Sequence, residues 1–156
     1  MKRIVSCLLI VLLALLCTGC RTEPAPTEPL LEDAWIRSLP PGMKMTAGFG
    51  TLTNVTGGPI ELVAFDSNAF EDVSLHLTEK ADDGMSSMRE IDSYTLQPGE
   101  ALTMEPGGYH LMLMGPLTNM APGIIVNLDV TAADGRVFRS SAPAPAPEIH
   151  RPQSHN

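Results

Sequence analysis

The chain has 156 residues, a length typical of one folded domain rather than two. Its 18 acidic and 10 basic side chains give a net charge of −8, which disfavours contacts with phosphates, so we expect no nucleic-acid partner. All three cysteines lie within the first 20 residues. The rest of the chain therefore has no thiol for disulfide exchange, nucleophilic catalysis or a blue-copper centre.

The N-terminus has the pattern of an export signal. Lys2 and Arg3 precede an apolar run at residues 5–16, which is short for a membrane span. Two small residues then precede Cys20, an order that resembles a lipobox. We therefore expect residues 1–19 to be a lipoprotein-type signal peptide, whose removal takes the charge from −8 to −10, and Cys20 to carry the lipid. An uncut anchor and a freely secreted protein are the alternatives, and all three place the domain outside the cytoplasm, facing the periplasm or the cell exterior.

Proline-rich segments flank the central part of the chain. Residues 20–31 combine Cys20 with a run of Pro, Thr and Glu, which predicts a flexible linker that holds the domain away from a membrane. Residues 141–156 are rich in Pro and Ala and predict a disordered tail. The expected folded domain is therefore residues 32–140.

Short alternating segments separated by Gly- and Pro-containing turns predict an all-β domain. No segment shows a long helical period, so we expect no substantial helix in the mature domain. The pattern favours a Greek-key β-sandwich or barrel. The predicted strands are Phe49–Val55, Glu61–Phe65, Val73–Thr78, Met88–Tyr94, Ala101–Met104, Tyr109–Met114, Ile124–Thr131 and Arg136–Ser140.

Two of these strands carry histidine on the face opposite their leucines. Side chains alternate along a strand, so His110 and Met112 share one face and lie roughly 6.5–7 Å apart at their Cα atoms. His76 lies on the polar face of its own strand, and Met88 follows a turn that could fold it over the same place. Taken singly, a strand histidine is more often a surface residue and a methionine more often fills a core.

The spacing of these residues resembles a known family. Eleven residues separate His76 from Met88, twenty-one separate Met88 from His110, and one separates His110 from Met112. This order is similar to the signature of the PCu(A)C-type periplasmic copper chaperones. Further similar segments are Ala34–Arg37 with Pro40–Gly42, Leu52–Asn54 with Gly57 and Gly58, and Pro106–Gly115, so that the resemblance covers about residues 33–138.

The resemblance implies a cupredoxin-like fold and one Cu(I) per chain, held by His76, Met88, His110 and Met112. Thioether sulfur is a soft donor that favours Cu(I) over harder divalent ions. Met85 is a rival to Met88, because an extra methionine often precedes the ligand in the family. Met43 and Met45, in a loop-like stretch, are interpreted as packing residues, with a position of one of them near the site as the less favoured alternative.

The family's role further implies a metallochaperone that delivers copper towards the dinuclear copper centre of cytochrome c oxidase, with oxidase subunit II or a Sco-type protein as partner. The lipid on Cys20 would add a membrane contact. His150 and His155 in the tail could bind Cu(II) weakly, although two incidental histidines are the simpler interpretation.

Two other functions remain open at this point. One is copper storage or tolerance with the same site, and the other is a β-sandwich interaction lipoprotein in which the His and Met residues are incidental. An enzyme is not expected, because no paired-carboxylate, Ser/His/Asp or phosphate-binding Gly-rich arrangement occurs.

Overall fold

The computed structural model of the protein describes residues 28–40, 42–80 and 84–144, and within them every regular element is a strand. In these ranges no helix has the length and apolar character needed to cross a membrane. The strands are β1 (Leu30–Ile36), β2 (Met45–Thr53), β3 (Ile60–Ser67), β4 (Phe70–Lys80), β5 (Ser86–Glu90), β6 (Tyr94–Leu96), β7 (Ala101–Met104), β8 (Tyr109–Pro116), β9 (Ile124–Ala132) and β10 (Val137–Ala144).

The strands form one strongly curved sheet in the order β1-β2-β7-β8-β4-β3-β9-β10. β5 pairs with β4, β6 pairs with β3, and β2 pairs with β8 as well as with β7. All pairs are antiparallel except β7 with β8. β1 and β10, at opposite ends of this order, lie against each other, so the sheet is nearly closed into a barrel. The prediction of an all-β domain is confirmed.

The core lies inside this barrel and consists of the apolar side chains that alternate along each strand. In β4, Val73 and Leu75 are buried, and in β8 Leu111 and Leu113 are buried. Alternation then places the intervening residues of both strands on the other face of the sheet. Since burial of one face fixes strand register, the leucines also determine where the histidines point.

A glycine in β2 lies in close contact with the backbone of the neighbouring strand β1. β2 pairs with β8 as far as Gly48, opposite Leu111, and with β7 from Gly50, opposite Met104. Gly50 has a φ of +149°, and a Cβ there would lie 3.0 Å from the Cα of Ala34. A side chain at position 50 would therefore push β1 away.

The structure differs from the predicted elements in three places. β1 forms within a stretch interpreted in part as linker, because its last residue, Ile36, is fully buried. The predicted strand Met88–Tyr94 is two strands, since β5 pairs with β4 and β6 pairs with β3. β10 continues to Ala144, beyond the predicted domain end at residue 140, because Ala142 and Ala144 are buried and pair with β9.

Candidate functional site

The two histidines lie directly opposite each other on adjacent strands. His76 of β4 pairs with His110 of β8, and the centroids of their rings are 6.0 Å apart with a 33° angle between the planes. Cross-strand partners in an antiparallel pair share one face of the sheet. Two imidazoles that are 34 residues apart in the chain are thereby brought to one place.

His110 is held in one orientation by its own loop. Its Nδ1 lies 3.1 Å from the carbonyl oxygen of Gly108. A carbonyl oxygen only accepts, so Nδ1 carries the proton and Nε2 keeps a free lone pair. The side chain is 6% exposed, and its ring lies 6.4 Å from that of Phe49. A buried, oriented imidazole of this kind is suited to binding a metal ion through Nε2.

His76 has an unused buried nitrogen. Its Nε2 lies 3.0 Å from Oγ of Ser74, whereas Nδ1 is buried and has no hydrogen-bond partner among the described residues. Leaving such a nitrogen unpaired costs roughly 1–3 kcal/mol. If Nε2 donates to the serine hydroxyl, Nδ1 presents a lone pair. A metal ion bound there would satisfy the nitrogen.

Thioethers from two strands lie on the same face as the histidines. Met112 is two residues from His110 and pairs with Ser74 of β4. Met88 in β5 pairs with Thr78, which places it diagonal to His76, a separation of about 7–8 Å between Cα atoms. Met88 is 52% exposed, so its flexible side chain is free to move towards the histidines. Met88 lies within β5, which begins two residues earlier at Ser86.

A cavity of about 360 Å³ opens on this face of the sheet. His110, Met112 and Met88 contribute to its wall, and the ring of His76, which is not part of the wall, lies 6.0 Å from the ring of His110. The site therefore combines the buried His110 and the half-buried His76 with thioethers at a surface that solvent reaches.

Four residues of this cavity were not predicted as part of the site. Phe49 packs against Trp35 at 4.5 Å between ring centroids and faces the His110 ring, and the Arg37 guanidinium lies 5.1 Å from the Phe49 centroid. Met43 and Met45 also line the cavity and are about half exposed, so the less favoured alternative, a position near the site, holds for both. Extending the alternation back along β2 from Phe49 would have placed Met45 on the site face, whereas Met43 precedes the strand.

Other sequence-predicted residues lie elsewhere. Met85 is 69% exposed and does not line the cavity. Cys20, His150 and His155, like the signal segment 1–19, lie outside the described residues.

Known proteins share both sequence and fold with this chain. A protein from Leifsonia xyli subsp. xyli named "Putative lipoprotein Lxx21020" is 30% identical over 118 residues, which cover 75% of this chain and 67% of that protein. The structure "Apo PCuAC domain from PmoF1" superimposes with a TM-score of 0.63 at 20% identity, covering 80% of this chain and 98% of the domain. The Deinococcus radiodurans protein in "Solution structure of CuI-DR1885" is 30% identical, with a TM-score of 0.56 and 83% of each chain covered.

These similarities confirm the cupredoxin-like, all-β fold that the resemblance implied, because the PCuAC domain is covered almost completely. The family model described as "Putative lipoprotein LpqE-like" matches residues 30–144, which include all ten strands of the described sheet. The chain therefore belongs to the LpqE-like lipoprotein family and has the fold of a PCuAC domain.

Proposed function

We propose that this protein is an extracytoplasmic carrier of a single Cu(I) ion, bound by His76, His110, Met112 and Met88. The observation that carries the proposal is the cross-strand pair His76–His110, with its unpaired buried Nδ1 and with thioethers on the same face. Two neutral imidazoles and two neutral thioethers leave the ion with a single positive charge. Such a charge is less costly to bury than that of a divalent ion.

The donor types select the metal and its oxidation state. Thioether sulfur binds Cu(I) in preference to ions that favour oxygen, and no thiolate is needed. A site without cysteine keeps its ligands in an oxidising compartment, where thiols would form disulfides. Cu(I) bound to DR1885, a relative at 30% identity, supports the same cargo for this chain.

The position of the ligands favours transfer rather than permanent retention. Met88 is half exposed at the cavity mouth, while His110 is buried. A partner that supplies a competing ligand can displace Met88 first and then reach the ion. The ion would thus leave by stepwise ligand exchange, with no change of oxidation state.

The lipoprotein names of the family and of the Leifsonia relative support anchoring through Cys20. The PCu(A)C resemblance further supports a destination at the dinuclear copper centre of cytochrome c oxidase, directly or through a Sco-type protein. A deletion strain grown at low copper should lose oxidase activity that added copper restores. Normal oxidase activity at low copper, combined with copper sensitivity, would favour storage or tolerance instead.

Anaerobic Cu(I) titration against a competing chelator tests the site itself. Wild type should hold one equivalent tightly against the chelator, and His110→Ala, Met112→Ala and Met88→Leu should weaken the binding of this equivalent about tenfold or more. Met85→Leu is the matched control, because Met85 is an exposed methionine away from the cavity. Equal affinity in all four variants and wild type would refute the proposed ligands, and a loss in Met85→Leu alone would exchange Met88 for Met85.

A further inference from the structure

The mouth of the cavity is lined by two methionines that the four-ligand site does not use. Met43 is 53% exposed and Met45 is 51% exposed, and both line the same cavity as Met88 and Met112. Methionine side chains normally bury their apolar surface. Keeping two thioethers half in solvent beside the candidate copper ligands therefore needs an explanation other than packing.

Strand register places Met45 within reach of the inner site. Met45 pairs with Met114, and the next residue on the same face, Ala47, pairs with Met112. Met45 is therefore diagonal to Met112, at about 7–8 Å between Cα atoms. Ala47 of β2, directly opposite Met112, has a small side chain and lines the same cavity as the two methionines.

Hydrogen bonds fix the residues just before β2, among them Met43 at the cavity mouth. The amide of Met43 donates to the carbonyl of Pro40 at 3.1 Å, and Gly42 takes a φ of +85° in this turn. Arg37 is tied to β2 by two hydrogen bonds, from its own amide to the Ala47 carbonyl and from the Thr46 hydroxyl to its carbonyl, both 2.9 Å. These bonds fix the backbone of Arg37, a residue of the cavity wall, against β2.

The electrostatics of the rim favour a weak, temporary position for a cation. The guanidinium of Arg37 lines the cavity beside Phe49 and would repel a monovalent ion held nearby. Thioethers carry no charge that could offset this repulsion. A copper ion at the rim would thus be bound more weakly than one held by the two imidazoles, as a position on a transfer route requires.

We propose that Met43 and Met45, together with the half-exposed Met88, form a second and weaker Cu(I) position at the cavity mouth. The ion passes between this all-thioether position and the histidine pair by exchanging one ligand at a time, with Met88 common to both. The proposal rests on the Cu(I)-carrier function, since the outer position has a role only if the inner site holds copper.

Methyl NMR of the full-length protein with ¹³C-labelled methionine tests the outer position. The protein is titrated anaerobically with Cu(I), and separately with Ag(I), a soft monovalent ion that is stable in air. The first equivalent should shift the methyl signals of Met88 and Met112. Because the first ion then occupies Met88, the second should be bound by Met43 and Met45 and should shift their signals, with an affinity at least about tenfold lower. A second equivalent that leaves the Met43 and Met45 signals unmoved would overturn the proposal.

Leucine variants separate ligation from apolar contact. Met43→Leu/Met45→Leu keeps the apolar surface and removes both sulfurs, so it should lose the second equivalent while retaining the first within about threefold. Copper release to a chelator should slow about threefold or more in this variant, whereas Met85→Leu should release copper at the wild-type rate. Wild-type release and uptake of both equivalents by the double variant would refute the outer position. Failure of wild type to bind even the first equivalent would refute the carrier function itself.

Discussion

At the scale of single residues, the two histidines are oriented by different partners. His110 donates from Nδ1 to a backbone carbonyl, which no side-chain substitution removes directly. Within the part of the chain that the structure describes, the hydrogen-bond partner of the His76 ring is the hydroxyl of Ser74, two residues away on the same face of β4. Because a hydrogen bond to one ring nitrogen determines which nitrogen presents its lone pair, Ser74 acts as a positioning residue for Nδ1 of His76.

Replacement of Ser74 by Ala should weaken Cu(I) binding about tenfold, because the His76 ring would lose its only hydrogen-bond partner among the described residues. Competition titration measures the effect. Ser87→Ala is the control, since Ser87 is exposed in β5 and does not line the cavity. An affinity unchanged by Ser74→Ala would show that the ring is held by packing alone.

At the scale of elements, Asn54 joins the end of β2 to its neighbours. Its side chain is fully buried, and Nδ2 donates to the carbonyls of Gly58 and Leu96, both at 2.9 Å. Its Oδ1 accepts from the amide and the hydroxyl of Thr56 at 3.0 and 2.7 Å. The side-chain amide of Asn54 therefore fixes the turn that follows β2 and connects this turn to β6, 42 residues further along the chain.

Asn54→Ala should lower the free energy of unfolding by about 2–4 kcal/mol, because two buried carbonyls would lose their donor and Thr56 would lose its acceptor. Urea denaturation measures the change. Asn68→Ala, in the exposed turn between β3 and β4, should cost less than about 0.5 kcal/mol. Similar losses in both variants would contradict the connecting role of Asn54.

The β9–β10 hairpin carries a charge pair that should respond to pH. Arg139 donates to both carboxylate oxygens of Asp129 at 2.8 and 2.9 Å, and the two residues are cross-strand partners. These hydrogen bonds hold the pKa of the Asp129 carboxyl below its usual value. A lowered pKa means that the pair stabilises the fold above the ordinary value near 4, and that this contribution disappears as the pH falls through the lowered pKa.

Arg139→Gln should therefore be less stable than wild type at pH 7, by a small amount because the pair is exposed, and the difference should vanish in strong acid. Urea denaturation at about pH 7 and about pH 2.5 makes the comparison. Asp129→Asn supplies the control. Both variants lack the Asp129–Arg139 pair, so the difference in free energy of unfolding between them should be the same at both pH values. A wild-type advantage of equal size at both pH values would contradict the assignment.

At the scale of the whole molecule, near-closure of the sheet determines where the domain ends. β1 lies against β10, and Ala142 and Ala144 at the end of β10 are buried. Pro143 is tolerated there because β10 hydrogen-bonds to β9 on one side only. The proline- and alanine-rich composition that predicts disorder from residue 141 thus includes four residues of a strand.

A chain that ends at residue 140 should be less stable than a chain that ends at residue 144, by about 2 kcal/mol or more. The shorter chain loses four positions of the β9–β10 ladder and two buried alanines. Thermal denaturation of both chains against the full-length protein gives the comparison. Equal melting temperatures of the two truncated chains would place the end of the domain at residue 140, as composition alone predicts.

The alternation of Leu, His and Met along β4 and β8 was enough to predict which face His76, His110 and Met112 share, because the side-chain period of a strand is local. Local sequence does not specify which strands are neighbours, so the direct pairing of His76 with His110 was decided by the sheet order. The same strand order brings to the site four residues from β2 and the chain before it: Arg37, Met43, Met45 and Phe49. β2 lies beside β8, although the paired residues of these two strands are 63 to 69 positions apart in the chain. Strand pairing over such distances depends on the shared core of the barrel, which forms only when the whole chain folds.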